Sequence, residues 1–153
     1  MNKAFTRETD DAPPPPQEER AISSELNLVT PRGARLIKEQ ITAIEHNLAA
    51  EVDPIIKPEL RRDLRYWLAR HSSMQIVAEN GDTNTVGFGS QVTIRRGTSE
   101  VTITIVGEDE SDPKAGLISW TAPLARAIDG AKVGEEVDLE GGRGETVTIL
   151  AIS

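Results

Sequence analysis

Apolar residues in the first half of the chain recur at the spacing of an α-helix. One stripe consists of Ile37, Ile41, Ile44 and Leu48, separated by four, three and four positions. A second stripe consists of Leu60, Leu64, Trp67 and Leu68. Narrow stripes are typical of two helices that pack along a seam. The pattern therefore predicts an antiparallel helical hairpin, a short coiled coil, within residues 25–75.

Threonine and proline mark the boundaries of these helices. Thr30 suits the N-cap and Pro31 the first helical position, so the first helix should begin there. Asp53-Pro54 should end it, because the residue before a proline avoids helical geometry, and Lys57-Pro58 should begin the second helix. We expect about 15–20 residues per helix, which gives a length of roughly 23–30 Å.

In the second half of the chain, apolar and polar residues alternate. This period predicts a strand over residues 91–96, a turn at Gly97-Thr98, and a second strand with Val101, Ile103 and Ile105 on one face. Further strands are expected over 117–120, 136–140 and 145–152, the last two around Gly141, Gly142 and Gly144, with a short helix over 124–128. The prediction is an α+β fold, in which residues 76–153 form a small domain with a mostly antiparallel sheet and one short helix.

The first 24 residues differ from both parts. They contain Pro13 to Pro16 between acidic residues, and almost no apolar side chains. Burial there cannot offset an ordering cost of about 1–2 kcal/mol per residue. We predict a disordered tail over residues 1–24.

Composition excludes several classes of function. The chain has 153 residues, 25 acidic and 17 basic, with a formal net charge of −8 and no cysteine. An acidic chain is a poor generic binder of nucleic acid or of membrane surfaces. Without cysteine there is no disulfide and no thiolate chemistry. The start of the chain lacks an apolar signal segment and no stretch has the roughly 20 apolar residues of a membrane span, so we expect a cytoplasmic protein with no membrane contact.

Catalytic motifs are also missing from the sequence. His46 and His71 fall near opposite ends of the predicted hairpin, so a shared metal is not expected, and no nucleophile elbow or phosphate-binding loop occurs. We therefore expect no enzymatic activity, no cofactor and no resident metal.

Two charged clusters remain. The acidic run at 108–112 lacks the spacing of a calcium-binding loop, and we expect a solvated or partner-facing loop. Basic residues lie on the predicted second helix, away from its stripe: Arg61, Arg62, Arg65 and Arg70. These residues form either a solvated face or a contact surface for RNA or for an acidic wall of a partner.

Several motifs of the second half occur in a characteristic order. They occupy residues 86–90, 105–113, 116–119, 123–128 and 130–137. In this order they closely resemble the carboxy-terminal domain of the bacterial Gre transcript-cleavage factors, GreA and GreB. The segment 30–33 and the paired helices resemble the coiled-coil domain of that family more loosely.

The resemblance implies an FKBP-like fold for the second domain, and binding to bacterial RNA polymerase at the rim of its secondary channel. Contact with nucleic acid is expected only within the transcription complex, and we expect a monomer, since nothing in the sequence suggests an obligate dimer. In the family, acidic residues at the arm tip, within Asp-x-Ser-Glu-Asn, help to hold a second magnesium ion in the polymerase active centre, where two metals hydrolyse the backtracked transcript. The implied polymerase-binding residues are Asp109, Glu110, Asp112, Pro113, Pro123 and Leu124.

The sequence departs from the family at the tip. Asp-x-Ser-Glu-Asn is absent, and Glu51 and Asp53 are the only acids in the turn between the helices. The arm is predicted to lack several helical turns, each worth about 5.4 Å of reach. This shortening is reminiscent of Rnk, a Gre relative named as a regulator of nucleoside diphosphate kinase. We therefore expect a polymerase-binding elongation regulator without efficient cleavage stimulation.

Two alternatives stay open. One is a regulator of another protein, such as nucleoside diphosphate kinase. The other is a true cleavage factor that uses Glu51 and Asp53 to hold a magnesium ion shared with the polymerase active centre.

Overall fold

A computed structural model describes residues 17–78, 81–139 and 144–153. It consists of a helical hairpin and a small sheet domain, and this arrangement confirms the predicted α+β fold. The helices are α1 (Pro31–Ala50), α2 (Ile56–Ser73) and α3 (Pro123–Ile128). The strands are β1 (Leu28–Val29), β2 (Gln75–Ile76), β3 (Gln91–Arg96), β4 (Ser99–Val106), β5 (Leu117–Ser119), β6 (Glu136–Asp138) and β7 (Thr146–Ile152).

The hairpin begins where its capping signals predict. The side chain of Thr30 accepts a hydrogen bond from the backbone nitrogen of Gly33, and Pro31 occupies the first turn of α1. The 20 residues of α1 correspond to about 30 Å and the 18 residues of α2 to about 27 Å. Ile37 and Ile44 are buried in the seam. Leu68, which the pattern assigned to the second stripe, is instead 46% exposed, whereas its neighbour Trp67 packs against the cluster that contains Ile37.

The sheet domain contains five strands in the order β5-β4-β3-β7-β6. Adjacent strands of this sheet pair antiparallel, except β4 and β5, which pair in parallel. One face packs against α3 and forms the larger core, which includes Val92, Ile94, Ile103, Ile105, Ala125, Ile128, Val147 and Ile149. The opposite face carries threonines, with Thr93 and Thr102 in hydrogen-bond contact across β3 and β4. Of the glycine-rich tip predicted between the last two strands, Gly141 and Gly142 lie outside the described residues, while Gly144 is in a turn with a φ of 82°.

Two features join the hairpin to the sheet domain, and neither is apparent in the pattern. Strands β1 and β2 pair in parallel and bring together the chain before α1 and the chain after α2. The acidic run forms a 3₁₀ turn over Glu108–Glu110, the acidic turn, and a second 3₁₀ turn covers Pro113–Ala115. The run is therefore ordered and packed toward the hairpin.

Residues 17–24 form no helix or strand, but they contact α2. Glu19 accepts three hydrogen bonds from Nε and Nη2 of Arg65, and the guanidinium of Arg20 lies 3.8 Å from the centre of the Tyr66 ring. The structure differs here from the disordered tail predicted over residues 1–24. That prediction considered only the segment's own apolar content, and not the aromatic and basic surface that α2 offers. Residues 1–16 lie outside the described residues.

Membrane insertion through a helix finds no support in the described part of the chain, since none of its helices is both long and apolar enough to cross a bilayer.

Candidate functional site

A buried arginine fixes the hairpin to the sheet domain. Arg70, near the end of α2, has a side chain only 2% exposed. Its Nε donates to Asp109 Oδ2 at 2.5 Å, and its Nη2 donates to Asn27 Oδ1 at 2.7 Å. Glu108 Oε2 lies 3.5 Å from the same guanidinium. A buried charge is tolerated only when it is paired in this way, so the contact defines where α2 meets the acidic turn.

Tyr66 adds to this contact one helical turn earlier. Its hydroxyl donates to Asp109 Oδ1 at 2.5 Å. Burial raises the pKa of Tyr66 to about 12, and the hydrogen bond to the Asp109 carboxylate acts in the same direction. The phenol therefore remains a neutral donor at physiological pH, and both oxygens of Asp109 are occupied by α2.

A second carboxylate anchors the start of α1. Glu110 accepts from Thr30 Oγ1 at 2.5 Å and from Arg32 Nη1 at 3.1 Å. The N-cap of α1 therefore donates to the acidic turn while it accepts from Gly33. Glycines permit the close approach: a methyl group on Gly33 would lie 2.9 Å from Glu110 Oε2, and one on Gly107 would overlap the carbonyl oxygen of Leu28.

These contacts correct two sequence predictions. Arg70 is not part of an exposed basic face, because it is buried against Asp109. Asp109 and Glu110 are not free docking residues, because their side chains are 8% and 3% exposed and bind the hairpin. Both errors have the same cause, since the partners lie 39 to 80 residues apart in the sequence and local pattern cannot pair them.

The other predicted docking residues lie on the surface of the sheet domain. Asp112, Pro113 and Pro123 are exposed, while Leu124 is half-buried and packs on the core. The backbone of Asp112 is fixed by two hydrogen bonds with Leu117, at 2.9 and 3.0 Å. The structure therefore presents the Asp112 carboxylate on a rigid support.

Two grooves lie beside α3. One, of about 580 Å³, is lined by Thr121, Pro123, Arg126, Ala127 and Asp138. The other, of about 430 Å³, has an apolar wall that includes Phe88, Ile105 and Trp120. Arg126 lines both grooves and pairs with Glu25 at 2.7 Å. Pro123 lines the first of these grooves, so it lies at the edge of a concave surface that a partner's side chain can enter.

The hairpin tip uses its acids to build the turn. Glu51 Oε1 accepts hydrogen bonds from the backbone nitrogens of Val52 and Asp53, at 2.9 and 2.8 Å. Asp53 Oδ1 accepts one from Ile55 at 2.8 Å. One oxygen of each carboxylate is thus engaged in the local fold.

The turn between the helices holds two carboxylates, so a magnesium ion there would need further ligands from elsewhere. Magnesium is bound through carboxylates that point toward the ion, together with water and phosphate oxygens. Within the residues that the structure describes, there is no group of three or more His, Asp or Glu side chains that could hold a metal ion. His46 and His71 are both exposed.

The remaining basic residues of α2 lie on the surface. Arg61 is exposed, Arg62 pairs with its neighbour Asp63 at 3.2 Å, and Arg65 pairs with Glu19 at 2.6 Å. Pairing between Arg65 and Glu19 raises the pKa of Arg65 and lowers the pKa of Glu19, mainly through the hydrogen bonds between the two side chains. Exposed pairs of this kind contribute only about 0–1 kcal/mol.

The sequence of residues 81–153 matches the family model described as "Transcription elongation factor, GreA/GreB, C-term". Transcription elongation factor GreA of Maricaulis maris is 42% identical over 96 residues, which span 60% of this chain and 59% of that protein. GreA of Ruthia magnifica subsp. Calyptogena magnifica is 32% identical over 123 residues, which span 79% of this chain and 75% of that protein. The chain belongs to the GreA/GreB family.

Among solved structures, Gfh1 of Thermus thermophilus, a GreA factor homolog, is 17% identical to this GreA/GreB family member. The match covers 84% of this chain and 99% of that one, with a TM-score of 0.40. The family match includes the whole acidic turn, Asp112 and α3. It therefore confirms the resemblance drawn from residues 86–137, while the tip at residues 51–55 lies outside the matched segment.

Proposed function

We propose that this family member binds bacterial RNA polymerase at the rim of its secondary channel and regulates elongation without efficient stimulation of transcript cleavage. Membership of a family of transcription elongation factors supports the polymerase as partner. The factor itself is not an enzyme in this proposal, and it needs no cofactor of its own.

The observation that carries the non-cleaving half of the proposal is the tip. Glu51 and Asp53 direct carboxylate oxygens toward the backbone of their own turn. Donation of a ligand to a metal in the polymerase requires a carboxylate placed within about 2.0–2.1 Å of magnesium. The turn already engages one oxygen of each carboxylate, so bidentate ligation by either acid would cost hydrogen bonds that shape the tip. The sequence also lacks the Asp-x-Ser-Glu-Asn motif with which the family's cleavage factors hold the ion.

The docking half of the proposal rests on the surface formed by Asp112, Pro113, Pro123 and the grooves beside α3. An exposed carboxylate and, on the same domain, a concavity with an apolar wall suit a partly apolar surface that carries basic residues. Charge complementarity of this kind acts mainly on the rate of encounter and on register. Asp109 and Glu110 contribute indirectly, because they hold the hairpin in a fixed position relative to this surface.

Replacement of Asp112 by Lys is expected to weaken binding to core RNA polymerase about tenfold at low salt, which corresponds to ~1.4 kcal/mol. The substitution reverses the charge of an exposed side chain on a fixed backbone, so folding should be unaffected. Fluorescence anisotropy of labelled protein titrated with polymerase measures the dissociation constant.

Glu100→Lys is the matched control, since Glu100 is exposed near the opposite end of β4, about 20 Å from the acidic turn. Equal affinities for wild type, Asp112→Lys and Glu100→Lys would remove this surface from the proposal. A wild-type chain that does not bind polymerase would favour regulation of another protein, such as nucleoside diphosphate kinase.

A further inference from the structure

Aliphatic side chains are exposed at the far end of the hairpin. Val52 is 86% exposed and Ile55 is 72% exposed, the two highest values among the exposed large hydrophobic residues in the described part of the chain. Ile56 follows directly and is 40% exposed. Single exposed apolar residues are common on protein surfaces, but three within five residues of one turn make this turn a candidate contact surface.

The backbone of the turn that carries these side chains is fixed by its own hydrogen bonds. Its shape is set by the hydrogen bonds that Glu51 and Asp53 accept from the backbone nitrogens of Val52, Asp53 and Ile55. Pro54 restricts the backbone further. A surface that is already ordered loses less conformational entropy on binding, so a small apolar contact gains more affinity.

Charge narrows the choice of partner. Residues 51–59 contain three acids, Glu51, Asp53 and Glu59, and one base, Lys57, which leaves a net charge of −2. Phosphate groups of RNA or DNA would be repelled by this excess. A second copy of the tip would be repelled for the same reason, and a few aliphatic side chains fall well short of the roughly 800 Å² per partner that stable interfaces bury. The tip therefore suits a protein that is also held elsewhere.

We propose that the hairpin tip binds an apolar protein surface with a basic rim inside the RNA polymerase complex. The inference rests on the proposed function, in which the sheet domain provides the main docking contact. Val52 and Ile55 enter the apolar surface, and the acids around them face the basic rim. The tip then serves as a protein-binding surface, whereas the tip of the family's cleavage factors serves to hold a metal ion.

The double variant Val52→Ser with Ile55→Ser tests this inference. Its dissociation constant for core RNA polymerase should rise about tenfold, while the control Val133→Ser with Ile76→Ser should change it by less than about twofold. The control removes the same side chains at positions that are 54% and 56% exposed elsewhere on the molecule. Thermal unfolding of both variants should match wild type, because all four side chains are largely in solvent.

A photo-crosslinking amino acid in place of Ile55 identifies what the tip touches. The expected product is a crosslink to a polymerase subunit. A crosslink to RNA or DNA would overturn the inference, as would equal affinity of the tip variant and wild type, and in both cases the proposed function would stand. If wild type itself fails to bind polymerase, both the inference and the proposed function are wrong.

Discussion

Replacement of Arg70 by Ala is expected to lower the free energy of unfolding by about 3–5 kcal/mol, because it removes one partner of a buried ion pair and leaves the other without compensation. Asp109 would keep only the hydrogen bond from Tyr66, and the side-chain oxygen of Asn27 would lose the hydrogen bond that Arg70 donates. Urea-induced unfolding measures the change. Tryptophan fluorescence suits this experiment, since Trp67 lies in the hairpin and Trp120 packs on the sheet core.

Arg65→Ala provides the matched control for this prediction. Arg65 lies on the same helix and pairs with Glu19, but both side chains are more than half exposed. Its loss should cost no more than about 1 kcal/mol. If the two variants were equally stable, Arg70 would not be the residue that fixes the hairpin to the sheet domain.

The second large effect is expected at Gly107, where an added methyl group would overlap the carbonyl oxygen of Leu28. The backbone of β1 and the acidic turn meet at this point, so the clash cannot be relieved by rotation of a side chain. Overpacking of this kind typically costs about 1–3 kcal/mol. Gly107→Ala should therefore lower the midpoint of urea unfolding and shift the hairpin against the sheet domain.

Gly81→Ala is the control for this substitution, because a methyl group there would meet no atom within 4 Å. Its stability should be unchanged or raised by up to about 1 kcal/mol, since alanine restricts the unfolded chain. A Gly107→Ala variant as stable as Gly81→Ala would show that the junction between β1 and the acidic turn is loose.

Local signals in the sequence were sufficient to predict the elements that depend on neighbouring residues. Thr30 and Pro31 define the start of α1 through contacts within one turn, and the alternation over residues 91–96 gives β3 with the observed bounds. Strands β1 and β2 have two residues each, too few for a period to appear. Their pairing joins the chain before α1 to the chain after α2, a contact between distant residues that no local pattern shows.

The candidate site was only partly predictable, because burial there depends on distant partners. Arg70 has the sequence context of an exposed helical arginine, and only Asp109, 39 residues later, explains its burial. The acidic run gave one hint of its packing, since it directly follows the apolar end of β4. By contrast, Asp112 and Pro123 were expected on the surface from the family resemblance, and both are exposed.

The central claim is that this family member binds polymerase but does not supply a metal ligand from its tip. The most direct measurement is the length of labelled RNA in a backtracked elongation complex, with magnesium present and with saturating amounts of the protein. We predict no shortening beyond the intrinsic rate of the polymerase, for wild type and for Glu51→Ala with Asp53→Ala alike. Rapid, magnesium-dependent shortening by wild type that is lost in the double variant would contradict the claim.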